Sequence, residues 1–278
     1  MTTLYDAVSN LAQSSHALSD AALNASQPWL NDRELRYALL WTYEDLRRLA
    51  AVLASERAAA GPPITTVQRL LAQHHAGYRD LQAVLIGLEE PLIDQPPAAG
   101  EWTIREVLWH AARGERSFLA RTWHAVEQGR AGLLPTAMSN EEVAARIGAD
   151  AESDQQISTG PWPKLLQYYD REHERVLAEL SGLTDRDLGA PAIWYDKLNR
   201  PLVQRLTRFD GHLRQHVIQI EKALEALGQR TNEARRLLRL IYAALAEVEG
   251  VCIGAPALGA VARRELGGVI EERASHIQ

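Results

Sequence analysis

The stretch Phe209-Asp210-Gly211-His212-Leu213-Arg214-Gln215-His216 places two histidines four residues apart inside a helical pattern. After Pro201, the positions Leu202, Leu206, Phe209, His212, Leu213, His216, Ile220 and Leu224 recur at the three/four spacing of an apolar helix face. Both histidines therefore sit on or beside the buried stripe. Residues four apart lie one turn above each other, with Cβ atoms roughly 5–6 Å apart. Two such imidazoles can share one metal ion. They can equally be core histidines hydrogen-bonded to their neighbours, and an isolated HxxxH does not decide between the two.

A third histidine bears on that choice. His110 closes the run Trp102-Thr103-Ile104-Arg105-Glu106-Val107-Leu108-Trp109-His110. Thr103 and Glu106 have the spacing of a capping box, with Trp102 and Val107 as its hydrophobic staple. His110 follows two turns later on a separate amphipathic helix. Three imidazoles from two helices would make a three-nitrogen site with open coordination positions, the layout of a catalytic rather than a structural centre.

These two runs, in this order and with a long connection between them, resemble the DinB/YfiT-like superfamily over about residues 64–228. The resemblance implies an all-α fold, a four-helix bundle with a long crossover, to which this chain adds two helices at each terminus. It makes His110, His212 and His216 the ligands of one divalent metal. It also implies an activity class, since the family includes metal-dependent enzymes that use low-molecular-weight thiols, such as maleylpyruvate isomerases and thiol S-transferases. A small-thiol-dependent transferase or isomerase and a metal-hydroxide hydrolase both remain open. So does a non-catalytic metal-binding, sensing or ligand-binding module. Zinc, nickel and iron all suit imidazole ligands.

Working outward, nearly every segment reads as helix. Thr3 to Asn24 carries one apolar face. Asn31 with Glu34 has capping-box spacing ahead of a second helix. Gly61-Pro62-Pro63 marks the best boundary. The expected organisation is a helical pair over 1–60, the bundle over 64–228 and a second pair over 229–278 packing against the first. Within the bundle, the connection from Gly129 to Pro163 is expected to hold one short helix. The third helix is expected to turn Leu166, Tyr169, His173, Val176 and Leu180 inward. Residues 189–201 are expected to be an irregular loop.

Other residues are candidates for the site. Glu115 could face the pocket as a base, although a solvated helix glutamate is the plainer reading. His74, Tyr78, Tyr169, His173 and Trp194 could line a substrate cavity, or be ordinary core.

Composition narrows the classes. The 278 residues are 46% hydrophobic with a net charge of −6, which argues against a nucleic-acid footprint. No apolar run approaches a membrane span. Cys252 is the only cysteine, so no disulfide forms within the chain. With no signal peptide evident in residues 1–12, the expected setting is cytoplasmic. The partner expected is a small-molecule substrate, and apolar surface left on the terminal helices would favour a homodimer. His-Glu-x-x-His, GxGxxG, P-loop and Gly-x-Ser-x-Gly patterns are all missing.

Overall fold

The computed structural model describes residues 3–60, 63–148 and 150–277. In chain order the elements are α1 (Leu4–Ser15), α2 (Asp20–Leu23), β1 (Ser26–Gln27), β2 (Arg33–Glu34), α3 (Arg36–Ala60), α4 (Thr66–Leu85), α5 (Glu90–Ile93) and α6 (Ile104–Ala131). There follow α7 (Asn140–Ile147), α8 (Ala151–Thr159), α9 (Trp162–Leu180), β3 (Pro191–Ile193), β4 (Asn199–Pro201), α10 (Leu202–Ala226), α11 (Glu233–Cys252) and α12 (Ala260–Ile277). The chain divides into two compact units. One comprises residues 1–63, 75–88 and 228–278, the other residues 64–74 and 89–227. Gly61 and Pro62, expected as a chain break, lie outside the described residues.

The second unit is the helical bundle. α6 packs against both α9 and α10, and His74 on α4 lies against His173 of α9 and Phe209 of α10. Its core is the set of stripes the sequence spaces at three and four: Ile104, Val107, Leu108 and Ala111 on α6, Leu165, Tyr169 and Val176 on α9, and Leu206, Phe209, Leu213 and Ile220 on α10. α9 buries Leu165 fully and leaves Leu166 only half-buried, one position off the expected stripe. The crossover between α6 and α9 holds two helices, not one. The second, α8, starts where the Asp150 carboxylate accepts from Ser153 N–H at 2.8 Å.

The segment expected as an irregular loop contains an antiparallel hairpin, with Pro191 opposite Pro201 and Ile193 opposite Asn199. Both prolines sit at its ends, where no ladder donor is lost. The Arg205 guanidinium ties the hairpin to α10 by donating to the Ala192 carbonyl and to Asp196.

The other unit gathers the terminal helices around one apolar core. α1 packs on α12 and α3 on α11, burying Val8, Leu11, Leu39, Leu46, Leu53, Leu238, Leu245 and Ile270. Two local expectations fail here. The first helix ends at Ser15, whose hydroxyl donates back to the Leu11 carbonyl at 2.6 Å, and a separate turn begins behind the Ser19 cap. Asn31 starts no helix and instead closes the short 3-10 turn Pro28–Leu30. It and Asp32 are left-handed, with φ of 56° and 60°, between β1 and β2, because Asn and Asp tolerate that conformation better than other L-residues.

Gly259 has φ +58°, and a Cβ there would fall 2.1 Å from Leu53 Cδ2 in this core. Gly259→Ala is expected to destabilise the protein by about 1–3 kcal/mol through overpacking and left-handed strain. Leu53→Ala should cost about 2–5 kcal/mol by itself, and the double variant less than the sum. Urea unfolding of the three variants checks this.

Candidate metal centre

α6 begins with the capping box that its sequence announces. Thr103 N–H donates to Glu106 at 2.8 Å and Glu106 N–H to the Thr103 hydroxyl at 3.1 Å. That fixed start sets the rotation of the helix, and His110 points toward α10. His212 and His216, both buried, face it from α10. His212 Nε2 lies 3.2 Å from His110 Nε2 and 3.1 Å from His216 Nε2. A tetrahedral ion with bonds of ~2.0–2.1 Å holds its nitrogens about 3.3 Å apart, so the spacing fits one divalent ion.

The rings are held in a ligand-ready state. His216 Nδ1 sits 3.0 Å from Gln219 Oε1, which can only accept, so Nδ1 carries the hydrogen and Nε2 keeps its lone pair. Burial, reinforced by His216 and His110, lowers the His212 pKa to about 3. Burial and then His216 lower that of His110. Burial lowers that of His216 as well, against the Gln219 hydrogen bond. All three are therefore neutral at pH 7.

Gly114, one turn after His110, completes the geometry. A Cβ at this position would meet His212 Cε1 at 2.6 Å and Nδ1 at 3.1 Å. The bare helix backbone is what lets the His212 ring reach the others. The sequence carries a signal for this in the i, i+4 spacing of His110 and Gly114, but only the facing ring gives it meaning.

The centre opens on a cleft of about 850 Å³ lined by His110, His212, Trp109, Arg113, Tyr195 and Arg208 among others. His110 is exposed to it. Arg121 also reaches the cleft, but its guanidinium is committed to the Met138 carbonyl and Asn140. Glu106, the carboxylate among the described lining residues, is engaged in the α6 cap.

The remaining candidates lie elsewhere, and none of them is among the described lining residues. Glu115 is fully buried away from the cleft, where its carboxylate accepts from the Tyr169 hydroxyl at 2.9 Å and contacts His74 and His173. Its neighbour Arg116 faces a different way, bonded to the Tyr168 hydroxyl and Asp154. Tyr78 is buried within the unit of the terminal helices. Trp194 is buried with its ring stacked on Phe118 at 5.0 Å, and the next residue, Tyr195, supplies the cleft wall instead. His74, Tyr169 and His173 are buried in the bundle core, the plainer of the two readings of these residues.

A four-helix bundle with three converging imidazoles at the mouth of a cleft defines a class of histidine-centred helical proteins. The family model described as the DinB superfamily matches residues 73–220, just over half of the chain, and the chain belongs to that superfamily. Among solved structures, YfiT from Bacillus subtilis is similar at 20% identity over 61% of this chain and 93% of its own, with a TM-score of 0.44. That protein is described as a probable metal-dependent hydrolase with an unusual four-helix bundle topology. No curated protein matches.

Gly114→Ala is expected to weaken zinc binding at least tenfold while leaving the helical circular dichroism unchanged, as a chelator competition would show. The metal-free protein is expected to lose stability as the pH falls from ~6.5, the ordinary histidine value, toward the lowered His212 value of about 3. In that window the unfolded chain takes up protons that the folded chain refuses, so folding weakens as protons are added. Thermal melts of metal-free protein between these limits test the sign.

Proposed function

We propose that this protein is a metal-dependent enzyme that uses a small thiol to transfer or isomerise an anionic substrate. The observation that supports this reading best is the exposure of His110 on a cleft that also holds Arg113 and Arg208. His110, His212 and His216 would hold zinc, nickel or iron. Three neutral ligands leave the full divalent charge on such an ion, which supplies the means to hold a thiol as thiolate or to acidify a water.

The chain's own residues supply the rest. Gln219 keeps His216 in the ligating tautomer. Arg113 and Arg208 offer positive charge to carboxylate groups entering the cleft, and Trp109 and Tyr195 offer flat apolar walls. Glu115 is withdrawn into the core and Glu106 is engaged in the α6 cap, so no carboxylate among the described cleft residues is placed as a general base. A thiol needs such a base less than a water nucleophile does, because its ordinary pKa of ~8.5 is already close to neutrality.

A metal-hydroxide hydrolase is the second reading, supported by the same open, neutral-ligand geometry. No helix among the described residues is long and apolar enough to cross a membrane. A cytoplasmic setting, where small thiols stay reduced, suits the thiol reading.

The test is turnover by the metal-loaded protein with a panel of low-molecular-weight thiols and carboxylate-bearing electrophiles, alongside ester and amide substrates without thiol. Thiol-dependent product formation that disappears in His216→Ala is the expected result. Arg208→Ala should raise KM about tenfold or more for a carboxylate substrate with a smaller change in kcat, since a charge-assisted hydrogen bond is worth ~1.5–3 kcal/mol. Hydrolysis without thiol would favour the second reading. No turnover by fully metal-loaded protein would point to a sensing or binding role.

A further inference from the structure

The bundle core holds a second group of metal-type donors that the cleft does not use. His74 from α4, Glu115 from α6 and His173 from α9 bring their ligand atoms within 4.8 Å of one another. His74 Nε2 is 3.1 Å from Glu115 Oε1 and His173 Nδ1 is 3.3 Å from Glu115 Oε2. The Tyr169 hydroxyl is a fourth polar group beside them, 2.9 Å from Glu115 Oε1. His74 and His173 are each 1% exposed and Glu115 2%. We propose that His74, Glu115 and His173 form a second, closed metal site that takes a zinc-like divalent ion and clamps three bundle helices together.

The chemistry of His74 carries this furthest. Both of its ring nitrogens are buried and neither makes an aligned hydrogen bond: Nδ1 has no partner, and Nε2 meets Glu115 Oε1 only as an ion-pair contact at 3.1 Å. A buried donor or acceptor left this way costs about 1–3 kcal/mol, and a charged ring costs more. A cation among the three residues removes the mismatch at Nε2, because each ligand then offers a lone pair to the ion and needs no alignment with its neighbour. Two neutral imidazoles and one carboxylate are a donor set that zinc and ferrous iron accept. Glu115 is suited to the part. The Tyr169 hydroxyl steadies the carboxylate as an outer partner.

This site differs in kind from the one at the cleft. His110 is exposed, whereas every ligand here is sealed. Phe209 lies against His74 at 5.4 Å between ring centres, and Phe118 lies against both Phe209 at 5.4 Å and His212 at 5.1 Å. A chain of two phenylalanine rings thus runs from His74 to His212. An ion in the core site would enter during folding and leave only on unfolding, so its role is structural.

The experiment is metal analysis of untagged full-length protein produced with zinc and then dialysed against EDTA. Wild type before dialysis should carry about two zinc ions per chain. The variant His110→Ala/His212→Ala/His216→Ala should carry one, and that ion should resist EDTA until the protein is unfolded. Adding Glu115→Gln to this variant should remove it. Should that fourth substitution prevent folding, X-ray absorption at the zinc edge of the triple variant decides the matter without it. Two imidazoles and a carboxylate around the ion support the site. A triple variant without zinc, or a zinc shell lacking imidazole, overturns it and leaves the cluster as a proton-balanced ionic network.

Discussion

The close approach of α6 to α10 is the constraint on which the site depends. Gly114 lets the His212 ring lie against the α6 backbone, where a Cβ would stand 2.6 Å from it. The apolar stripes of both helices supply the packing energy, and the missing side chain sets the distance. Without that distance, His110 would face two histidines it could not reach. The capping box at Thr103 contributes by fixing where the α6 helix starts, and so which way His110 points.

Charge inside the bundle is managed by pairing. Glu115 is ionised in a sealed core because two histidines and a tyrosine hydroxyl surround it. Arg205 is buried against the hairpin carbonyls and Asp196, beneath the face of Trp194. The unit of the terminal helices repeats the theme with other residues. Glu249 accepts from Arg79 and contacts His75, and although burial works against it, Arg79 and His75 bring its pKa down to about 2. Two adjacent histidines thus serve different units, His74 in one and His75 in the other.

Much of the fold was legible in the sequence. The capping box at Thr103 and the three/four stripes announce helices that the structure contains. The misses share a cause. Asn31 with Glu34 has the spacing of a cap but sits in a left-handed turn. The hairpin around residues 191–201 has too few residues for a periodic signal, and it depends on the Arg205 guanidinium packed beneath it. Such elements are chosen by tertiary partners, not by local pattern.

The site divides along the same line. His212 and His216 had to share a face, because a helix puts residues four apart one turn above each other, and His110 had to follow a capped start. That much is local geometry, and the sequence alone determined it. Whether Glu115 met the cleft or the core could not be read, since a helix residue five positions from His110 is rotated far enough that only its neighbours decide. The packed structure turned it toward His74, Tyr169 and His173 and made Tyr195, not Trp194, the wall of the cleft. Those outcomes depend on contacts between residues distant in the chain, and only the tertiary structure brings them together.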